Sequence, residues 1–246
     1  MLRKMFLVLL ASAVVLPVQA RAGIFGMSKK DVDAEIKEYL MKNPEVVKEA
    51  LDKYFEKEDE KQKQATVSKL GMHRFALERN PVTPVIGNPD GDVTIVEFFD
   101  YNCGYCKMMF PKVWEFVKND GNIRWVMKDL PSLGPTSETA ARAGLAAAKQ
   151  GKYFEMHQAM ITHKGALSEK DIVAYAKKVG LNMKDFERDR KDPALDKILE
   201  ANRKLATALE FNGIPDFIIG DFVNPGAMMG DELDTAVAAA RKKTEK

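Results

Sequence analysis

Asp100-Tyr101-Asn102-Cys103-Gly104-Tyr105-Cys106-Lys107 contains both cysteines of the 246-residue chain, spaced as Cys-x-x-Cys. A disulfide between residues three apart closes almost no loop, so it removes little entropy from the unfolded chain and makes a poor staple. The flanks point to another purpose. An apolar run at 93–99 precedes the pair and an amphipathic run at 108–117 follows it, which predicts a buried strand turning into a helix. Cys103 then stands at the helix start, where unpaired N–H groups and the positive end of the macrodipole favour an anion. A thiol of pKa about 8.5 is only roughly 3% ionised at pH 7, and a drop of about two pH units makes it roughly three-quarters ionised. Cys106, one turn further in, is expected to be shielded and to attack a mixed disulfide on Cys103 from inside.

Glu97 interrupts the apolar strand six residues before Cys103. An ionised carboxylate buried there costs several kcal/mol unless paired, so its pKa is expected to rise and the group to take the proton of Cys106. A solvated Glu at a sheet edge is the alternative.

Towards the N-terminus, residues 1–20 read as a secretory signal: Arg3 and Lys4, an apolar core from Met5 to Val18, then small residues before a cleavage point after Ala20 or Ala22. The apolar core is shorter than the ~20 residues of a membrane span. In an oxidising compartment cysteines are available for staples, and a chain that keeps only two, close together, is using them for catalysis. The formal charge is 38 cations against 36 acids, and the signal accounts for two of the cations, so the remainder is near neutral. With no basic stripe interleaved with aromatics, nucleic acid is not an expected partner.

Residues 28–79 have a different texture. Ser28 with Asp31 predicts a capped helix through Met41, and Asn43-Pro44 a cap and first-turn proline for a second. Val32, Ile36, Leu40, Val47, Leu51 and Phe55 form one apolar stripe on a segment too thin to bury it, and the polar run at 56–64 fits a solvated helix continuing towards Leu70, Phe75 and Leu77. The segment reads as an oligomerisation arm; two helices folded back on the rest of the chain are the alternative. Pro81, Pro84 and Pro89, with Gly87 and Gly91, then mark a boundary.

Downstream of the cysteines, residues 123–130 read as the next strand, with Lys128 either a partner for Glu97 or the thiolate, or simply exposed. Residues 136–209 are rich in helix patterns, and Ser168 with Asp171 caps one of them. His157, at helical spacing from Phe154, Met160 and Ile161, reads as structural. Pro215 opens an apolar strand, a position that proline tolerates. A last strand at 222–228 and a helix at 231–240 follow.

The run VTIVEFFDYNCGYCK at 93–107, following NPDGD at 88–92, is similar to the active-site segment of the DsbA-like thiol:disulfide oxidoreductases of the thioredoxin superfamily, and Pro111 resembles that superfamily's kinking helix proline. The likeness extends over most of residues 85–240. It implies an α/β thioredoxin fold with a helical domain inserted at about 136–209, and a redox-active Cys103–Cys106 disulfide in place of any cofactor or metal. It also implies a cis Pro215 facing the pair, with the backbone of Ile214 free to meet an extended substrate beside Gly104 and Tyr105. The domains expected are a signal at 1–20, a helical arm at 21–80 and the DsbA-like domain at 81–246.

The Gly104-Tyr105 dipeptide resembles that of DsbC-type isomerases, which are dimers, while the apolar Ile214 is more like the oxidase DsbA. The arm text EIKEYLMKNPEVVKEAL at 35–51 resembles the oligomerisation segment of ScsC-like proteins. The resemblance thus implies a periplasmic protein disulfide isomerase that also oxidises, a homodimer or homotrimer through residues 28–79. Its partners would be unfolded or misoxidised secreted proteins and a membrane protein that resets its redox state. Two other classes compete: a Cu(I)-binding protein using Cys103, Cys106 and Met108 or Met109, and a non-enzymatic chaperone whose arm grips clients.

Overall fold

The computed structural model describes residues 27–244; the signal read from residues 1–20 lies outside them. The chain divides into two compact units between Asp59 and Glu60.

In the first unit, helix α1 (Lys29–Lys42) opens on a reciprocal box: the Ser28 hydroxyl accepts the Asp31 N–H while the Asp31 carboxylate accepts the Ser28 N–H. Asn43 closes it by donating its side-chain amide to Tyr39 O at 2.8 Å, and α2 (Pro44–Arg74) starts on the proline. Pairs at i, i+4, such as Lys48–Asp52 and Lys53–Glu49, line the polar side. None of the residues of α1 is buried, and Ile36, Leu51 and Phe55 are 52%, 49% and 62% exposed. Four of the six residues of the apolar stripe, Ile36, Val47, Leu51 and Phe55, are thus exposed, and Val32 and Leu40 are half-buried.

The second unit is built on a five-stranded sheet in the order β1-β3-β2-β4-β5, from β1 (Val85–Gly87), β2 (Val93–Phe99), β3 (Ile123–Asp129), β4 (Asp216–Ile219) and β5 (Phe222–Pro225). Only β2 and β3 run parallel, with Ile95 opposite Trp125 and Glu97 opposite Met127. Between them runs α3 (Gly104–Asp120), which contains Pro111 and ends on Gly121 at φ 71°, a left-handed cap that glycine adopts without strain.

Alternation along β2 and β3 sorts their side chains into two cores. Ile95, Phe99, Trp125 and Met127 pack with α3, with α9 (Glu232–Thr244) and with helices α4 (Pro135–Ala148) and α5 (Tyr153–Ile161). Val96, Phe98 and Val126 face the other way, onto Leu70, Leu77, Leu205 and Leu209. The last turns of α2 and the π-helical turn Phe75–Arg79 therefore roof the sheet, and each buried Leu contributes about 2 kcal/mol. That is why the division falls ahead of the proline cluster at 81–89: Leu70 and Leu77 are fully buried in the second unit, while Phe75, read with them, is 70% exposed.

Between β3 and β4 lie five helices: α4 and α5, then α6 (Glu169–Lys178), α7 (Met183–Asp189) and α8 (Pro193–Ala208). Their starts follow the sequence signals. Ser168 and Asp171 form a second reciprocal box, and the Asp192 carboxylate accepts the Ala194 N–H at 2.8 Å ahead of Pro193.

Candidate active site

The loop leaving β2 is fixed by hydrogen bonds before it reaches the first cysteine. The Asp100 carboxylate accepts the N–H groups of Asn102 (2.7 Å), Ser132 (2.8 Å) and Leu133 (3.1 Å). Asn102 ties the loop to the inserted helices, donating to Thr136 and Ser137 hydroxyls and accepting the Leu167 N–H at 2.9 Å. Tyr101 is buried, its hydroxyl 3.0 Å from His157 Nδ1. A Cβ on Gly144 would stand 2.6 Å from that hydroxyl, so the helix face there must be bare. These residues sit inside the stretch that decides the fold. Their types, Asp and Asn ahead of a helix, are a loop-bracing signal that the sequence reading passed over.

Cys103 occupies the N-cap of α3, and its sulfur accepts the Cys106 N–H at 3.4 Å. Hydrogen bonding from Cys106 and from the N–H groups of Cys106 and Tyr105 outweighs burial and the nearby Asp100 charge, and lowers the Cys103 pKa to about 6. Roughly nine-tenths of it is therefore thiolate at pH 7. Burial, the hydrogen bond to Cys103 and the charge of Glu97 push the Cys106 thiol far up. Cys103 is 6% exposed and Cys106 0%, a narrower margin than expected but in the expected order. Both are free thiols.

Across from them the Ile214–Pro215 peptide is cis, as the resemblance implies, and the Cys103 sulfur lies 3.6 Å from Ile214 O, a hydrogen bond open only to its protonated form. Gly104 and Tyr105 are exposed on the first turn of α3, Tyr105 at 65%. Lys107 donates to the carbonyls of His163 (2.8 Å) and Gly165. The fold thus brings Cys103, Cys106, Ile214 and Pro215 together, with Gly104 and Tyr105 at their rim.

Glu97 lies beneath this group, buried rather than at an edge, and burial raises its pKa to about 8, with the Trp125 hydrogen bond opposing and the Cys103 charge adding. Lys128 is neither its partner nor exposed. It projects to the opposite face of the sheet, 1% exposed, donating to Ala76 O (2.7 Å) and the Thr83 hydroxyl (2.9 Å), and burial lowers its pKa to about 8. His157 is a core residue, held neutral by burial with its pKa at about 3. On α3 itself Met109 is buried and Met108 is 42% exposed. Among the described residues no group of three or more His, Cys, Asp or Glu could hold a metal ion.

Two family models match the chain. One, described as thioredoxin, covers residues 79–239; the other, described as the copper resistance protein ScsC N-terminal domain, covers residues 29–65. A solved thioredoxin-like oxidoreductase from Silicibacter pomeroyi DSS-3 is 42% identical, with TM-score 0.66 over 69% of this chain and 98% of that one. The catalytic domain of Proteus mirabilis ScsC is 27% identical, with TM-score 0.66 over 72% of this chain and 98% of that one. The Na(+)/H(+) antiporter NhaA 1 of Salinispora arenicola is 31% identical over 166 residues, 65% of this chain and 26% of that protein. The chain spans about a quarter of the length of the curated relatives it matches. A thioredoxin model over most of the sequence and an oxidoreductase matched almost end to end place this chain in the thioredoxin family, among its ScsC- and DsbA-like members.

Proposed function

We propose that the chain is an exported, periplasmic thiol:disulfide oxidoreductase that isomerises wrong disulfides in folding proteins and also oxidises dithiols. The observation that carries the chemistry is the asymmetry of the pair: an ionised Cys103 at a helix start facing the Ile214 carbonyl, backed by a buried, protonated Cys106. Such a thiolate attacks a substrate disulfide and forms a mixed disulfide, releasing a substrate thiolate. Either the substrate's thiolates exchange among its disulfides until one attacks the substrate sulfur of the mixed disulfide and Cys103 leaves as the thiolate, or Cys106 resolves the intermediate after Glu97 takes its proton. Run backwards from the Cys103–Cys106 disulfide, the same steps oxidise a dithiol. Ile214 and Pro215 line the peptide path, with Gly104 and Tyr105 beside it.

The arm supports the isomerase side. Its exposed stripe fits association of two or three copies, and several tethered sites hold one substrate while its disulfides are tried. The division before Glu60 supports reading residues 27–59 as that arm, and 60–244 as the domain with its helical insertion. The periplasmic assignment draws on the signal pattern and on a solved periplasmic thioredoxin-like protein from Salmonella that is 27% identical. A membrane protein that resets the redox state completes the cycle.

The test is capture. Cys106→Ala should hold a disulfide-bonded substrate on Cys103 as a long-lived mixed disulfide, and Cys103→Ala should hold none. Equal capture by both variants would sink the assignment of roles. Cu(I) binding by the same thiols is a second reading, favoured by the description of the family model over residues 29–65. Cuprous titration of the reduced protein separates the two, since weak binding excludes it.

A further inference from the structure

Glu97 is buried and takes a proton in the proposed cycle, yet among the described residues no cation pairs with it: Lys128, one position beyond its register partner Met127, points to the other face of the sheet. What meets its carboxylate is an indole. Trp125, fully buried, stands opposite Ile95, two residues before Met127 on the same face, and its Nε1–H donates to Glu97 Oε2 at 3.0 Å. The indole ring is held from two sides, stacked on Phe110 at 5.9 Å and meeting the His157 ring edge-on at 6.5 Å. Among the described residues this is the one hydrogen bond to the Glu97 carboxyl.

We infer that Trp125 is the positioning residue of the resolving step: its N–H favours the ionised form of the Glu97 carboxyl and orients that group for the proton of Cys106. The inference rests on Glu97 being the proton acceptor. In the step concerned, the Cys106 thiol gives its proton to the Glu97 carboxylate. The Cys106 sulfur then bonds to Cys103 Sγ as the bond from Cys103 to the substrate sulfur breaks. That bond's electron pair leaves on the substrate thiolate.

The other titratable groups that feel Glu97 are Cys103 and Cys106 on α3, Tyr101 on the loop and Tyr153 on α5, with His157 of α5 against the Trp125 ring. Burial keeps both tyrosines and His157 neutral at ordinary pH. In a mixed disulfide Cys103 carries no charge either. The indole N–H is therefore the polar group that favours the carboxylate over the acid.

The experiment is the pH profile of mixed-disulfide release, measured for the wild-type chain, Trp125→Phe and Glu97→Gln. Phe keeps an aromatic ring against Phe110 and His157 and removes only the donor. Losing a hydrogen bond to a buried charge moves the release midpoint up by about one pH unit and slows release at pH 7 about tenfold, with the proteins converging at higher pH. Glu97→Gln should abolish that limb of the profile. If Glu97→Gln leaves the profile intact, the proton-acceptor reading fails and this inference with it; if Glu97→Gln abolishes the limb but Trp125→Phe leaves its midpoint in place, the inference alone is overturned. Should Trp125→Phe not fold, the Trp125 indole N–H resonance of the wild-type protein decides. It should shift with the same midpoint as release, and a resonance that does not respond refutes the link.

Discussion

Replacing Cys106 by Ala removes the first of the interactions that hold Cys103 as a thiolate, the S–H donated by its neighbour, and leaves the backbone N–H groups of Tyr105 and Cys106 in place. Hydrogen bonds to charged groups contribute about 1.5–3 kcal/mol, and a thiol is a weak donor, so the lower end applies. About 1.5 kcal/mol is about one pH unit. The Cys103 pKa, about 6 in the wild type, should therefore rise by that amount and stop short of an ordinary thiol. The assay is the rate of alkylation of Cys103 against pH, free of signal from Cys106 because that thiol stays protonated in the wild type. At pH 6 the thiolate fraction falls from about a half to about a tenth, so alkylation slows about fivefold. The linkage has a definite sign: a depressed thiol stabilises the reduced fold above its unfolded pKa and loses that contribution as pH falls through about 6, and in the variant the loss comes about one pH unit higher. A midpoint that stays put or falls would refute this account of the thiolate.

Gly144→Ala gains about 1 kcal/mol of helix propensity, but its Cβ drives the Tyr101 hydroxyl off His157 and strands two buried polar groups at about 1–3 kcal/mol each. Urea melts should show a net loss of about 1–5 kcal/mol, partly recovered on adding Tyr101→Phe, which removes the clash and one of the two stranded groups. Glu97→Gln should stabilise the fold most at alkaline pH. A carboxyl whose pKa is raised from 4.5 to about 8 costs nothing below the first value, and its full penalty, about 2–5 kcal/mol, applies above the second. Melts at pH 5 and pH 9 read the difference. Leu51→Glu with Phe55→Glu should reduce the sedimenting mass to that of one chain and leave Cys103 alkylation unchanged, because both residues lie on the exposed stripe of the first unit.

The sequence declares the elements whose signals are local. The seven-residue apolar run becomes β2, both Ser-x-x-Asp boxes start helices where the motif predicts, and Cys103 caps α3. What it leaves hidden depends on register. Lys128 and Trp125 are both plausible neighbours of Glu97 along the chain, and only the parallel pairing of Glu97 with Met127 puts Trp125 on its face and Lys128 on the other. The bracing of the active-site loop is equally non-local: Asn102 meets Thr136, Ser137 and Leu167, contacts made across the inserted helices. Leu70 and Leu77 follow the arm on the same helical run beyond the polar stretch at 56–64, with Phe75 between them exposed, so their burial under the sheet could not be read from periodicity.

The most direct measurement of the central claim is recovery of scrambled, multi-disulfide ribonuclease by the chain, with and without Leu51→Glu and Phe55→Glu. The account predicts rescue by the intact stripe, and, in the double variant, loss of rescue with oxidation of reduced ribonuclease retained. Rescue by neither protein while both oxidise, or equal rescue by both, would contradict an isomerase that works through its arm.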